Sequence, residues 1–240
     1  MKKMKVLQNE VISEDIYKLK LEGNFTGKPG QFFMLRAWGQ EPILNRPISI
    51  YDIDDEGISF LYHVCGKGTE IFKNLEANDE VKVMGPLGNG FPLENISGKV
   101  AVITGGIGMA PMNYVVKNLE GCDIDLYSGF REEIYAVEKL KPYVKNLYIS
   151  TENGVQGHKG YITEIFNPDE YETVLCCGPE IMMNKVIEMC KEKKVPLYVS
   201  LEKKMACGIG ACLVCTCKTK DGNKKSCKDG PVFLGSELEE

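Results

Sequence analysis

The chain has 240 residues, 43% of them hydrophobic and 26% charged, a balance that excludes both a disordered segment and a membrane-embedded one. Its formal net charge of −5 lacks the basic footprint that offsets phosphates, so nucleic acid is excluded as a partner. Met1 to Lys20 carries lysines with no apolar stretch behind them, and no later window approaches the roughly 18 apolar residues of a membrane span, so neither signal peptide nor anchor is expected and a cytoplasmic location follows.

From Met1 to about Ser97 the pattern is one of short strand-like runs broken by Gly, Pro, Asn and Asp. Gln31 to Ala37, Arg46 to Asp52, Ile58 to Val64 and Glu80 to Met84 are the clearest, with one brief helix at Thr69 to Asn74. Many short strands at this spacing predict an antiparallel barrel or sandwich. After Gly98 the texture changes. Strands at Val100 to Thr104, Ile124 to Ser128, Leu147 to Thr151, Thr173 to Cys177 and Leu197 to Leu201 alternate with helical segments at Ala110 to Leu119, Glu132 to Leu140, Tyr161 to Phe166 and Glu180 to Lys194. That alternation predicts parallel βαβ units in a doubly wound α/β domain. From Glu202 the chain is rich in Cys, Gly and Lys and too short for an apolar core of its own, so something else must hold it. The expected division is residues 1–97, 98–201 and 202–240.

Arg46-Pro47-Ile48-Ser49 lies in a strand-like run, and Gly66-Lys67-Gly68-Thr69 opens the only helix of the first region. An arginine fork neutralises a pyrophosphate bidentately, and a helix entrance with small residues offers free amides to the same anion, which is what a flavin dinucleotide requires. Ser49 is a candidate donor to the flavin edge. Each piece alone describes an ordinary strand entry or helix cap, and His63 alone describes a structural histidine.

Val100 to Thr104 runs into Gly105-Gly106-Ile107-Gly108-Met109-Ala110-Pro111, a strand, a glycine turn and a helix entrance. Such a turn seats a nucleotide pyrophosphate against backbone amides, although Pro111 stands where the last glycine of G-x-G-x-x-G would be. Cys177-Gly178-Pro179-Glu180 repeats the arrangement after a second strand. In a doubly wound sheet both turns open on the same edge, where ligands bind. Ordinary strand-to-helix turns look the same, and Cys176 and Cys177 also read as core residues. Glu132 and Glu133 follow the strand that would read the adenosine ribose and hint at NADH over NADPH.

The chain has ten cysteines. Five are scattered and five crowd into Cys207 to Cys227. Cys207-Gly-Ile-Gly-Ala-Cys212-Leu-Val-Cys215 is C-x4-C-x2-C with Cys227 as a distant fourth, the plant-type [2Fe–2S] spacing. Gly208, Gly210 and Ala211 let amides approach cluster sulfurs. A structural zinc site is the alternative, but zinc ribbons generally use two short knuckles and only one is present here, with no histidine nearby. Cys217 is left out of the ligand set because C-x4-C-x4-C does not fit. A cluster needs a partner that splits a hydride into single electrons, and flavins do that.

As a set these motifs resemble the ferredoxin-reductase superfamily and, within it, the electron-transfer subunits of bacterial class 1B dihydroorotate dehydrogenases, over nearly all of the chain. Arg46-Pro47-Ile48-Ser49 is similar to that family's FAD motif, where general ferredoxin reductases have an aromatic at Ile48. Leu61-Tyr62-His63 and Gly68-Thr69 match its other flavin-contacting stretches. Gly85-Pro-Leu-Gly-Asn-Gly-Phe91 resembles its domain junction, and Gly105-Gly106-Ile107-Gly108 its nucleotide turn. Most specific are Leu201 to Cys212 and Cys227-Lys-Asp-Gly-Pro-Val-Phe233. The resemblance implies an FAD-binding barrel, an NAD-binding domain and a [2Fe–2S] module. It also implies a heterotetramer with two copies of an FMN-containing catalytic subunit, which oxidises dihydroorotate to orotate in pyrimidine biosynthesis and sends electrons through cluster and FAD to NAD+. No acid or base for that oxidation is expected in this chain. Reductase subunits of transhydrogenase, sulfide dehydrogenase or hydrogenase type carry much the same parts, and a zinc-stabilised binding module is a rival of another class.

Overall fold

A computed structural model describes residues 1–239. Strands β1 (Lys2–Ser13), β2 (Ile16–Glu22), β3 (Phe32–Arg36), β4 (Arg46–Ser49), β5 (Asp52–Ile53), β6 (Gly57–His63) and β7 (Glu80–Leu87), with helix α1 (Lys67–Lys73), make the first unit. The strands form one antiparallel sheet in the order β4-β3-β7-β1-β2-β6-β5. The distant strands β4 and β6 approach one another, so the sheet rolls into a barrel. Its interior is filled by alternate residues of nearly every strand, among them Val6, Leu19, Leu21, Phe33, Leu35, Phe60, Tyr62, Val81 and Val83, with Phe72 of α1 as the plug. Burial of this apolar surface is the main stabilising term, about 1.5–3 kcal/mol per large side chain.

The second sheet is formed by β8 (Gly98–Gly105), β9 (Cys122–Phe130), β10 (Asn146–Thr151), β11 (His158–Lys159), β12 (Thr173–Cys177), β13 (Leu197–Ser200) and a late strand, β16 (Val232–Leu234). Its order is β11-β10-β9-β8-β12-β13-β16, parallel except for β16. Helix α2 (Met109–Asn118) covers one face with Met109, Met112, Val115 and Val116. Helix α3 (Glu180–Lys193) covers the other with Met183, Val186 and Cys190. The central strand β8 therefore buries Val100 and Val102 on one side and Ala101 and Ile103 on the other. The order in which strands are added reverses at β8, with β9 to β11 on one side and β12 and β13 on the other, so the carboxyl ends of β8 and β12 form the switch point at which such sheets bind ligands.

Two helices expected from the sequence do not form. Residues 131–137 are irregular, because Ala136 takes a left-handed backbone (φ 63°) while Tyr135 turns edge-on against Phe130 at 5.1 Å. Only a 3-10 turn, Glu138–Tyr143 with Pro142 inside it, follows. Tyr161 to Phe166 likewise reduces to a 3-10 turn at Ile162–Glu164. Strands β1 and β2 fall within the region of strand-like runs but were not among those singled out.

The cysteine-rich tail builds only a hairpin, β14 (Thr216–Thr219) with β15 (Gly222–Lys225), and is held by both larger units. Phe32, Met34, Met84 and Leu87 of the barrel pack against Cys215 and Cys227. Past the hairpin, β16 adds antiparallel to β13, pairing Ser200 with Val232 and Val199 with Phe233. The junction segment closes the triangle: the Asn89 amide donates to the Gly230 carbonyl at 2.6 Å and its side chain to that of Asp229 at 3.0 Å.

Candidate functional site

A cavity of about 480 Å³ opens where the three segments meet, a size suited to a cofactor or substrate. Its walls are Arg46 to Ser49 from β4, Leu61 to His63 from β6, Cys65 and Thr69 at the start of α1, Ile107, Ala110 and Pro111 after β8, Cys177 at the end of β12, Ser200 to Met205 after β13, and Phe32 and Pro231.

Strand β4 is an edge strand, which is why Pro47 is tolerated in it. Arg46 donates through Nη1 to the Leu44 carbonyl at 2.6 Å and stacks its guanidinium 5.4 Å above the Trp38 ring. A Cβ on Gly68 would fall 2.5 Å from Arg46 Nε, so only glycine lets the guanidinium lie across the entrance of α1. Arg46 and Gly68 are thus brought together, with fork donors left for an anion. Thr69 is engaged locally. Its Oγ1 accepts from the amides of Cys65 at 3.0 Å and Gly66 at 3.2 Å and donates to the Gly66 carbonyl. Tyr62 points into the barrel, where its hydroxyl donates to Asn9 Oδ1 at 3.1 Å and burial drives its pKa far up. It therefore offers the cavity backbone rather than ring, whereas His63 is exposed there.

The two glycine turns interlock. A Cβ on Gly108 would lie 2.3 Å from the Cys177 carbonyl oxygen and 2.7 Å from Gly178 Cα, one on Gly105 2.6 Å from Pro179 Cδ, and one on Gly178 2.8 Å from the Gly105 nitrogen. Gly106, at φ +52°, meets nothing nearer than the Tyr135 hydroxyl at 3.9 Å, leaving space beside its backbone. All six residues expected to hold the nucleotide, Gly105, Gly106, Gly108, Cys177, Gly178 and Pro179, therefore stand at one sheet edge. The Cys177 thiol is raised well above its ordinary range by burial and acts as an uncharged wall.

Glu202, in the connection to the tail, was not singled out by sequence, although the rule that ligands gather beyond the carboxyl ends of parallel strands points to its segment. Its side chain is exposed to the cavity, and crowding by the surrounding walls desolvates its carboxyl enough to raise it above the usual range. Lys203 next to it pairs with Glu180 at 2.9 Å, tying the tail to the start of α3.

Of the four sulfurs expected to bind iron, Cys215 and Cys227 are buried, Cys207 is half-buried and Cys212 is exposed. Gly208 and Gly210 adopt φ of +74° and +81°, which aims backbone amides inward. The Ile209 amide donates to Cys207 Sγ at 3.5 Å and the Gly210 amide to Cys227 Sγ at 3.1 Å. The Ile209 amide is the main reason the Cys207 thiol is lowered to about 6, while burial pushes Cys227 up to about 12. Among the described residues no three His, Cys, Asp or Glu side chains converge on a single-ion site. The sulfurs neighbour one another, Cys207 with Cys212, and Cys227 with both Cys215 and Cys207. Cys217 is spent elsewhere, its thiol donating to the Lys224 carbonyl at 3.4 Å. Neighbouring thiolate-capable sulfurs with amides aimed at them fit an iron–sulfur cluster, and the arginine and glycine cradle fits a flavin dinucleotide.

Comparison with known proteins agrees. Residues 202–239 match the iron–sulfur cluster binding domain of dihydroorotate dehydrogenase B. The chain is 62% identical to the dihydroorotate dehydrogenase B (NAD(+)) electron transfer subunit of Clostridium acetobutylicum, covering 98% of this chain and 95% of that one. It is 49% identical to the subunit of the same name from Clostridium perfringens, covering 99% and 97%. Among solved structures, an NADH-dependent reduced ferredoxin-NADP oxidoreductase studied for flavin-based electron bifurcation superposes with a TM-score of 0.88 at 27% identity, over 98% of this chain and 89% of that one. A ferredoxin NADP+ reductase from Neisseria gonorrhoeae with bound FAD and NADP shares the fold at a TM-score of 0.68 and 14% identity, over 80% and 90%. On this shared length, identity and architecture, the chain belongs to the family of dihydroorotate dehydrogenase B (NAD(+)) electron transfer subunits.

Proposed function

We propose that the three segments, 1–97, 98–201 and 202–240, hold FAD, NAD and a [2Fe–2S] cluster respectively, around the common cavity. The chain is the electron transfer subunit of a dihydroorotate dehydrogenase, an oxidoreductase component with FAD and an iron–sulfur cluster, working with a catalytic partner subunit in pyrimidine biosynthesis. No helix among the described residues is long and apolar enough to cross a membrane. The finer reading is that the partner carries FMN, that two copies of each subunit assemble, and that the complex works in the cytoplasm.

When bound, the flavin exchanges two-electron for one-electron transfer and the cluster passes single electrons. The protein's part is placement. Arg46 and the α1 entrance at Gly68 hold the flavin pyrophosphate. Pro47 to Ser49 and Leu61 to His63 line the ring. The interlocked turns at Gly105 to Gly108 and Cys177 to Pro179 present the nicotinamide nucleotide across the cavity. Cys207, Cys212, Cys215 and Cys227 would hold the cluster, with the Ile209 and Gly210 amides directed at two of its ligand sulfurs. The observation that carries this reading is Phe32, which lines the cavity on one side and packs on Cys215 and Cys227 on the other. One side chain thus separates the flavin site from the inner sulfurs.

Cys212→Ser tests it. Dihydroorotate-dependent reduction of NAD+ through the copurified partner is expected to be lost, with NADH oxidation by an artificial acceptor retained. Retention of both activities overturns the ligand assignment.

A further inference from the structure

The hairpin pairs Thr216 with Lys225 and Cys217 with Lys224. The same register extends one step further, since the Ser226 amide donates to the Cys215 carbonyl at 3.0 Å. Cys215 and Ser226 are therefore directly opposite one another, and directly opposite residues of an antiparallel pair project to the same face. The Ser226 hydroxyl shares a face with the Cys215 sulfur and is one residue from Cys227.

That face is closed to water. Cys215 and Cys227 are each 2% exposed and Ser226 is 0% exposed, yet Ser226 Oγ has no hydrogen-bond partner. A buried hydroxyl with no acceptor is costly and uncommon. The hydroxyl and thiol groups of the hairpin are engaged: the Thr216 hydroxyl donates to the Leu213 carbonyl, that of Thr219 to the Gly222 carbonyl, and the Cys217 thiol to the Lys224 carbonyl. An Asp229 carboxylate oxygen accepts from the Lys225 amide. The unmet hydroxyl therefore shares the buried face of Cys215 and precedes Cys227 by one residue.

We propose that Ser226 Oγ–H donates a hydrogen bond to the cluster, at the Cys215 thiolate or an inorganic sulfide, and so raises its reduction potential. The inference rests on the assignment of Cys207, Cys212, Cys215 and Cys227 as ligands. A reduced cluster carries one more negative charge than the oxidised one, so a donor held at its sulfur favours reduction. A residue that shifts the potential of a cluster relaying single electrons sets how readily they enter it.

The test uses the complete complex, with iron quantified. Ser226→Ala is expected to raise the oxidised-to-reduced ratio of the cluster at a given potential about tenfold, a downward shift of about 59 mV for a one-electron couple. Ser226→Thr, which keeps the hydroxyl, is expected to hold the wild-type potential. Ser226 is the only serine between Ser200 and Ser236. Wild-type protein grown in a serine auxotroph on β-deuterated serine with excess unlabelled cysteine, so that the ligand β-carbons stay protonated, should therefore show deuteron coupling to the reduced cluster in electron–nuclear double resonance, a reading that does not depend on any variant folding. An unchanged potential in iron-replete Ser226→Ala, or no coupling in the wild type, overturns the proposal and leaves the ligand assignment standing. Absence of iron from the wild-type protein overturns both.

Discussion

Asn113 is 2% exposed and its Nδ2 donates to the Tyr51 carbonyl at 2.8 Å, linking α2 of the second unit to the chain two residues beyond Ser49. One helical turn on, Lys117 pairs with Asp52 at 2.5 Å, and Ala110 packs with Ile16, Tyr51 and Leu61. Helix α2 also brings Ala110 and Pro111 to the cavity, so this contact fixes the distance between the nucleotide turn and the flavin strand. Asn113→Leu keeps the volume and leaves the Tyr51 carbonyl buried without a donor, a loss of about 1–3 kcal/mol. At roughly 2–4 °C per kcal/mol for a chain of this size, Tm should fall by about 2–12 °C. A shift of about 1 Å between reacting groups costs on the order of a hundredfold in rate. Stopped-flow reduction of the bound flavin by NADH should therefore slow strongly while flavin content holds. Asn118→Ala is the control, because that amide donates to the Tyr114 carbonyl on the exposed side of the same helix. If Asn113→Leu melts within a degree of the wild type and its flavin is reduced within twofold of the wild-type rate, the contact does not set the geometry.

Gly108→Ala places a methyl 2.3 Å from a backbone oxygen that cannot move cheaply. The KM for NADH should rise at least about tenfold with flavin retained, and an unchanged KM measured by steady-state kinetics refutes the interlock. Phe233 is 4% exposed within β16, so Phe233→Ala should cost about 3–5 kcal/mol. It should also release the tail, read as lower iron content at unchanged flavin content. The Glu202 carboxyl is raised by burial, so the uncharged form is the one the fold favours. Its contribution is fully present below the unfolded pKa of about 4.3 and is lost as pH rises through the higher folded value. Glu202→Gln should accordingly flatten the fall in Tm over that window, and identical Tm–pH curves for variant and wild type refute it.

How far the site can be read without coordinates depends on how local its physics is. The proposed iron ligands can be picked out because C-x4-C-x2-C is a constraint within nine residues, and the glycine turns because each glycine answers a close backbone approach at a strand end. Strand β1 is illegible for the opposite reason. Lys2 to Ser13 buries only Val6 fully, and it is a strand because β7 and β2 supply its ladders from either side. Glu132 to Leu140 has helical composition, yet tertiary packing of Tyr135 on Phe130 and the hydrogen bond from Ser13 to Glu133 impose another path. Leu61-Tyr62-His63 is legible as a stretch but not in its facing: period two sends the Tyr62 ring into the core and leaves His63 to the cavity.

The cavity-lining role of Phe32 and of the Ser200 to Met205 connection escapes a linear reading, although Leu201 to Met205 is part of the most specific motif, because that role exists only once three segments meet. The tail could not be assigned a core because it has none. Its fold is borrowed from β13 through Val232 to Leu234 and from the barrel through Phe32 and Met34. This borrowing has a mechanistic consequence. A cluster module on a flexible tether would vary its distance to the flavin, whereas one whose exit strand is part of the nucleotide sheet and whose ligands pack on the flavin barrel holds all three sites at fixed separation. Loss of either anchor, Phe233 on one side or Phe32 on the other, is therefore expected to slow electron passage by loosening the same module, although the two residues lie 201 positions apart in the chain.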